Sequence, residues 1–259
     1  MEIVILPTPE ECASIGGRII ANLIKRKSDA VLGLATGSTP IPLYSELAKI
    51  HKDEGLSFSK ITTFNLDEYI GLPGDHPCSY QFFMKEELFD KIDISLGSTH
   101  IPNGEAEDIE NECLEYEQAI KSSGGIDLQV LGIGSDGHIG FNEPGSSLGS
   151  RTRIKTLTGK TIEDNARFFD NPSQVPRHCI TMGVGTIMDS ASLVLFAFGE
   201  SKAEIISKAF EGPVSAMVPA SVLQLHPKVR VIVDDAAASN LSNIDYYKEV
   251  YANKPDWQE

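Results

Sequence analysis

Basic residues are scarce in this chain: 22 Lys and Arg stand against 37 Asp and Glu, a net charge of −15 over 259 residues. Gripping nucleic acid or an anionic membrane surface needs a basic footprint, so neither is expected as a partner. A small anionic ligand stays open, because it needs only a local cluster of donors. Cysteine is scarce too. Cys12, Cys78, Cys113 and Cys179 are scattered, with no C-x-x-C. That spacing points away from a disulfide scaffold and a zinc site and towards a reducing compartment. No stretch approaches the roughly 18 consecutive apolar residues of a membrane span. The opening Met1-Glu2-Ile3-Val4-Ile5-Leu6-Pro7 lacks a basic n-region and reads as a first strand, not a signal peptide. Internal repeats, low-complexity segments and a linker that would split the chain are missing as well. The expectation is an acidic, cytoplasmic, globular protein with one domain over residues 1–259.

What the chain does have is alternation. Apolar residues make up 41% of it, enough for a sizeable core. Near-continuous apolar, β-branched runs fall at 2–6, 30–34, 60–65, 128–133, 192–198 and 229–233, as strands covered on both faces require. Between them lie helical patterns. Thr8-Pro9-Glu10-Glu11 has the form of a capping box with Pro at the first helical position and opens a helix to about Arg26. Further helices are expected over 40–51, 79–89, 105–122 and 201–210. This predicts an α/β fold: a doubly wound, mostly parallel, Rossmann-like sheet with helices on both faces. Ligands of such sheets bind beyond the carboxyl ends of strands, which singles out loops 35–39, 66–73, 134–150 and 199–202. The Gly- and Ser-rich stretch 134–153 suits a site loop, and residues 144–190 are expected to form a lid region in the second half.

Each loop carries chemistry beside a blander alternative. In Ala35-Thr36-Gly37-Ser38-Thr39-Pro40, glycine allows a tight turn while hydroxyls lie beside the free N–H groups of a helix start, which makes a phosphate cradle. It lacks the Gly-Lys-Ser/Thr of a Walker loop, and an ordinary capping turn remains the alternative. Asp67, just after a strand in Asn65-Leu66-Asp67-Glu68-Tyr69, is placed to act as a general base if half desolvated; a solvated Asp67-Glu68 turn is the alternative. The stretch from Gly132 to Gly145 contains G-x-G-x-x-G at Gly132, Gly134 and Gly137. A dinucleotide loop must run into a helix, and Gly140, Pro144 and Gly145 prevent one. The glycines instead shape an irregular loop holding Asp136, His138 and Glu143. If extended, it puts Asp136 and His138 on one face. A histidine flanked by carboxylates is a proton-transfer unit. A metal site or a structural histidine are the alternatives, although no second His or Cys lies nearby. Lys202 falls at an expected helix start, where a cation opposes the helix dipole; a bound anion would offset that, and a plain surface lysine is the alternative. With Arg167, these positions form the expected anion grip.

Taken together, the chain resembles the glucosamine-6-phosphate deaminase family along nearly its whole length. The resemblance is carried by Leu32-Gly33-Leu34-Ala35-Thr36-Gly37-Ser38-Thr39-Pro40, by Thr63-Phe64-Asn65-Leu66-Asp67-Glu68-Tyr69, and most specifically by Gly134-Ser135-Asp136-Gly137-His138-Ile139-Gly140-Phe141-Asn142-Glu143-Pro144. Residues 150–157, Arg167-Phe168-Phe169 and Leu223-Gln224-Leu225-His226 also fit. The family converts glucosamine 6-phosphate and water to fructose 6-phosphate and ammonia. The resemblance implies no metal and no cofactor. It assigns Asp67 as the base moving the C2 proton, and His138 as the acid/base opening the sugar ring with Asp136 and Glu143 as partners. Thr36, Gly37, Ser38, Thr39, Arg167 and Lys202 match phosphate positions. Some members are hexamers activated by N-acetylglucosamine 6-phosphate, and Ser147, Arg153, Lys155 and Tyr246 match that allosteric site. Residues 212–222 depart from the His-Met-Trp-Thr-Ile stretch of typical hexameric members, so a homo-oligomer stays open. Two other readings compete: a 6-phosphogluconolactone hydrolase, disfavoured by the Asp67 segment and by Asn142-Glu143-Pro144, and a non-catalytic sugar-phosphate sensor. A sensor of this kind usually carries a DNA-binding segment, for which a first strand at Glu2 leaves no room.

Overall fold

The computed structural model describes residues 1–166, 169, 171 and 174–255. Its strands are β1 (Glu2–Leu6), β2 (Val31–Leu34), β3 (Thr62–Asn65), β4 (Asp67–Tyr69), β5 (Thr99–His100), β6 (Leu128–Leu131), β7 (Arg153–Thr156), β8 (His178–Thr181), β9 (Leu193–Ala197) and β10 (Val229–Asp234). The helices are α1 (Pro9–Arg26), α2 (Ile41–Glu54), α3 (Tyr80–Glu87), α4 (Ile109–Ser122), α5 (Gly159–Asn165), α6 (Val184–Met188), α7 (Ala203–Phe210), α8 (Asp235–Ala238) and α9 (Ile244–Ala252). Among the described residues, seven strands form one parallel sheet in the order β1-β10-β9-β6-β2-β3-β5. β2, β6 and β9 are buried along their whole length. That requires cover on both faces and explains why their sequences are nearly unbroken apolar runs.

Local chemistry sets the helix ends. Thr8 Oγ1 accepts from the Glu11 N–H at 3.2 Å and starts α1 where the capping pattern puts it. α4 begins at Ile109 rather than 105, because Asp108 caps it by accepting from the Asn111 N–H at 2.9 Å. Gly16 on α1 lies so close to Phe196 of β9 that a Cβ there would meet the ring at 2.4 Å; this glycine lets helix and sheet approach.

A second layer was not visible in the hydrophobic pattern. After β3, Leu66 donates to the Leu34 carbonyl at 3.1 Å and accepts from the Met182 N–H at 2.7 Å, so it joins two sheets. Asp67 then begins β4 of an antiparallel sheet ordered β4-β8-β7. β7 reads Arg-Ile-Lys-Thr and alternates half-buried with exposed positions, so it lacks the apolar run that marks the larger sheet. Tyr69, Phe141, Leu157, Val175 and Cys179 form a separate apolar cluster with it. No helix among the described residues is long and apolar enough to cross a membrane.

In the large sheet the chain steps from β2 outward to β3 and β5, then returns to β6 and steps the other way to β9 and β10. The loops leaving β2 and β6 therefore diverge, opening a crevice at the carboxyl ends of two adjacent strands.

Candidate active site

That crevice holds a cavity of about 550 Å³. Its lining comes from all four loops singled out in the sequence: 35–39 after β2, Leu66 and Asp67 after β3, the stretch 132–141 after β6, and Phe198, Ser201 and Lys202 after β9.

Asp67 is 6% exposed and borders the cavity. Its carboxylate accepts no hydrogen bond from any described residue. Gly140 supplies the wall beside it: a Cβ there would lie 3.3 Å from Asp67 Oδ2 and 3.0 Å from Thr181 Oγ1. Burial first, and then the charge of Glu68, push the Asp67 carboxyl up to about 8. A solvated Asp67-Glu68 turn is thereby excluded. Glu68 is only 3% exposed and faces the other way.

The glycine-rich loop holds an imidazole. The ring of His138 lies against Gly134, where a Cβ would be 2.1–2.4 Å from three ring atoms. Gly137, with φ +89°, turns the chain so that the Asp136 carboxylate faces the ring. Asp136 Oδ1 accepts from His138 Nδ1 at 2.7 Å and from the His138 backbone N–H at 3.1 Å. The two residues thus meet through a turn, not along an extended face. Burial raises the Asp136 carboxyl, but the bonds and charge of His138 outweigh it and bring it down to about 2. With Asp136 ionised the proton sits on Nδ1, and Nε2 is left to act on a ligand.

Among the described residues no hydrogen bond joins Glu143 to the imidazole of His138. Glu143 is 4% exposed, and its Oε1 accepts from the Thr158 N–H at 3.1 Å, from Thr158 Oγ1 at 2.9 Å and from Thr161 Oγ1. Pro144 extends the chain here and the side chain reaches across to the start of α5 instead. Thr161 also lines the cavity. Among the described residues no three His, Cys, Asp or Glu side chains converge as a metal-binding group.

Also lining the cavity, Gly37 takes φ +95°, and residues 36–39 lead into the N-terminal end of α2. Unpaired backbone N–H groups and the positive end of the helix favour an anion there. Lys202 is not a plain surface lysine: its Nζ donates to the Ile133 carbonyl at 2.8 Å and so bridges the loops after β9 and β6 at the cavity wall. Arg167 lies outside the described residues.

The four activator-site candidates lie on β7, on the loop before it and on α9. Arg153 donates to Asn142 Oδ1 at 2.9 Å from β7, with Lys155 two residues along the same strand. Ser147 is exposed in the preceding loop and accepts from the Gly149 N–H at 3.3 Å. Tyr246 is 61% exposed on α9 with its ring against Tyr247. Among the described residues no hydrogen bond, ion pair or ring contact joins any of these four side chains to another.

Sequence reasoning missed Tyr80 and Phe141, which line the cavity with their rings stacked 6.1 Å apart. Ser79 was the available signal. As N-cap of α3 it accepts from the Phe82 N–H at 3.0 Å, which fixes Tyr80 as the first helical residue.

The close seating of the ring predicts that Gly134→Ala displaces it. Any turnover that uses this imidazole should fall about 10²-fold, while folding is retained. Full activity in that variant would show that the ring position is dispensable.

Comparison with known proteins supplies the family. Residues 10–232 match the model described as glucosamine-6-phosphate isomerases/6-phosphogluconolactonase. The chain belongs to this family. Among the relatives, a protein of Arthrobacter sp. (strain FB24) named glucosamine-6-phosphate deaminase is 54% identical over 258 residues, covering 100% of this chain and 99% of the other. One of the same name from Mycolicibacterium smegmatis is 53% identical over 259 residues, with the same shares covered. A solved structure described as a monomeric glucosamine-6-phosphate deaminase superposes with a TM-score of 0.91 at 49% identity, over 93% of this chain and 100% of that one. The 6-phosphogluconolactonase of Trypanosoma brucei shares the fold, with a TM-score of 0.73 at 21% identity over 93% and 98% of the two chains. The family name thus spans two chemistries on one scaffold.

Proposed function

We propose that this chain is an enzyme that converts glucosamine 6-phosphate and water to fructose 6-phosphate and ammonia. One observation carries the choice between the family's two chemistries. A desolvated carboxylate without donors among the described residues, Asp67, and the imidazole of His138, which is paired with Asp136, border one cavity that the anion cradle 36–39 also lines. Identity of 54% across the whole length to a protein named as such a deaminase supports it.

The phosphate is held by 36–39 and Lys202, with Arg167 completing the grip, and each charge-assisted hydrogen bond there contributes roughly 1.5–3 kcal/mol. His138 Nε2 relays a proton between the anomeric hydroxyl and the ring oxygen, so the ring C–O bond breaks and the aldehyde appears. Asp67 then takes the proton from C2, now acidic beside the carbonyl, and the electron pair moves into an enolamine. Protonation at C1 gives an imine at C2. Water adds to that carbon, ammonia leaves, and the C2 ketone of fructose 6-phosphate remains. Glu143 acts by holding the start of α5, through Thr158 and Thr161, so that Thr161 stays in the cavity wall. In this reading residues 1–259 work as one domain and 144–190 as its lid, with β7, β8 and α5 as the lid's frame.

The test is ammonia release from glucosamine 6-phosphate by the purified protein with a chelator present, run beside hydrolysis of 6-phosphogluconolactone. Ammonia release with no lactone hydrolysis is expected; lactone hydrolysis alone would overturn the proposal. No hydrogen bond, ion pair or ring contact joins Ser147, Arg153, Lys155 and Tyr246 among the described residues, which supports activation by N-acetylglucosamine 6-phosphate at a contact between copies. It should then vanish on dilution to a single-chain mass; activation of single chains would show a different site.

A further inference from the structure

Glu68 is a buried carboxylate that the mechanism does not use. It sits back to back with Asp67 on β4, and its side chain points at the first turn of α3. Oε2 accepts from the backbone N–H of Tyr80 at 2.8 Å and of Gln81 at 3.0 Å, while Oε1 accepts from its neighbour Tyr69 at 2.8 Å. A carboxylate at a helix N-terminus satisfies N–H groups that have no intrahelical partner and matches the helix dipole. Here it comes from another element, so it ties α3 to β4. The first residue of the tied turn, Tyr80, forms part of the cavity wall.

We infer that Glu68 is a positioning residue for the deamination: its carboxylate fastens α3 to β4, holds Tyr80 against the sugar site, and sets a second negative charge behind the base Asp67. This rests on the functional reading above.

The other titratable groups that feel the charge of Asp67 are Tyr69 on its own strand, Tyr80 on α3, Tyr116 on α4 and Cys179 on β8. Burial pushes all four upward and keeps them neutral at pH 7–8. His138 borders the same cavity, paired with Asp136. Glu68 is therefore the negative charge that makes Asp67 a stronger base, and its own carboxyl is raised to about 7 by burial, against the pull of its three N–H donors.

Two variants separate the charge from the tether. Glu68→Gln keeps the length and one acceptor but removes the charge, so the acid limb of kcat/KM should move down by roughly one pH unit, a tenfold change in basicity. Glu68→Asp keeps the charge but falls one methylene short of α3; kcat should drop between about 10- and 100-fold with the limb unmoved. Titration of the 13C-labelled Asp67 carboxyl in ligand-free protein, assigned with Asp67→Asn, should show the same downward shift in Glu68→Gln whatever the activity. A limb and a titration both unmoved in Glu68→Gln, or wild-type kcat in Glu68→Asp, would overturn the inference. If Glu68→Gln does not fold, the Glu68→Asp result decides it. Wild-type protein that releases no ammonia would instead overturn the functional reading.

Discussion

Asp67→Asn is expected to reduce ammonia release by about 10²–10⁴-fold, the usual contribution of a general base, while the protein still binds glucosamine 6-phosphate. Binding survives because the phosphate grip is made by other residues, 36–39 and Lys202. The same variant should be more stable than the parent at neutral pH. The carboxyl of Asp67 is raised from 3.8 to about 8 in the folded chain, so folding favours its protonated form. Its adverse effect on stability is absent below the unfolded value and grows as pH rises from 3.8 towards 8. Asn cannot ionise, so the gain over the parent should appear across that window, on the order of 1–2 kcal/mol or about 2–8 °C in melting temperature. In the parent, kcat/KM should rise with pH through the same raised value, because only the ionised base works. A variant that keeps most of its activity, or whose stability tracks the parent at every pH, would remove Asp67 from this role.

The second large effect belongs to the ring-opening pair. His138→Gln is expected to lose about 10²–10⁴-fold in kcat, because no group is left to relay the proton between O1 and O5. The residual rate then follows spontaneous opening of the pyranose, so the acid limb set by Asp67 should flatten. Asp136→Asn leaves the imidazole in place but no longer fixes the proton on Nδ1, since an amide can present either N–H or C=O to the ring. It should therefore lose activity with little change in melting temperature or KM. Equal activity in parent and His138→Gln would mean that ring opening needs no group from the protein.

The parts of this fold that could be read from the residues are those whose burial leaves an unbroken signal. β2, β6 and β9 are covered on both faces, and their apolar runs announce a parallel sheet. Loops at their carboxyl ends then identify the site without coordinates, because the topology of such sheets puts ligands there. β5 has two residues, β4 has three, and β7 has charged Arg153 and Lys155 at alternate positions and a single apolar residue, so none presents such a run. The small sheet depends on Leu66 bonding to both Leu34 and Met182, a long-range pairing that local pattern does not encode. Within the site, Asp136 and His138 were legible because they lie two residues apart. Glu143 lies only five residues from His138, yet its partners are Thr158 and Thr161. Glu68 was hidden for a similar reason: beside Asp67 it reads as one half of an acidic turn, and only the position of α3 reveals that both carboxylates are buried on opposite sides.

The central claim is that Asp67 carries the proton away from C2 of an amino sugar. The most direct measurement is turnover of glucosamine 6-phosphate in ²H₂O by the parent and by Asp67→Asn, with the product read by NMR. Solvent deuterium at C1 of fructose 6-phosphate from the parent, and none from the variant over the same period, is the predicted result. Deuterium at C1 at equal rates from both proteins would contradict it.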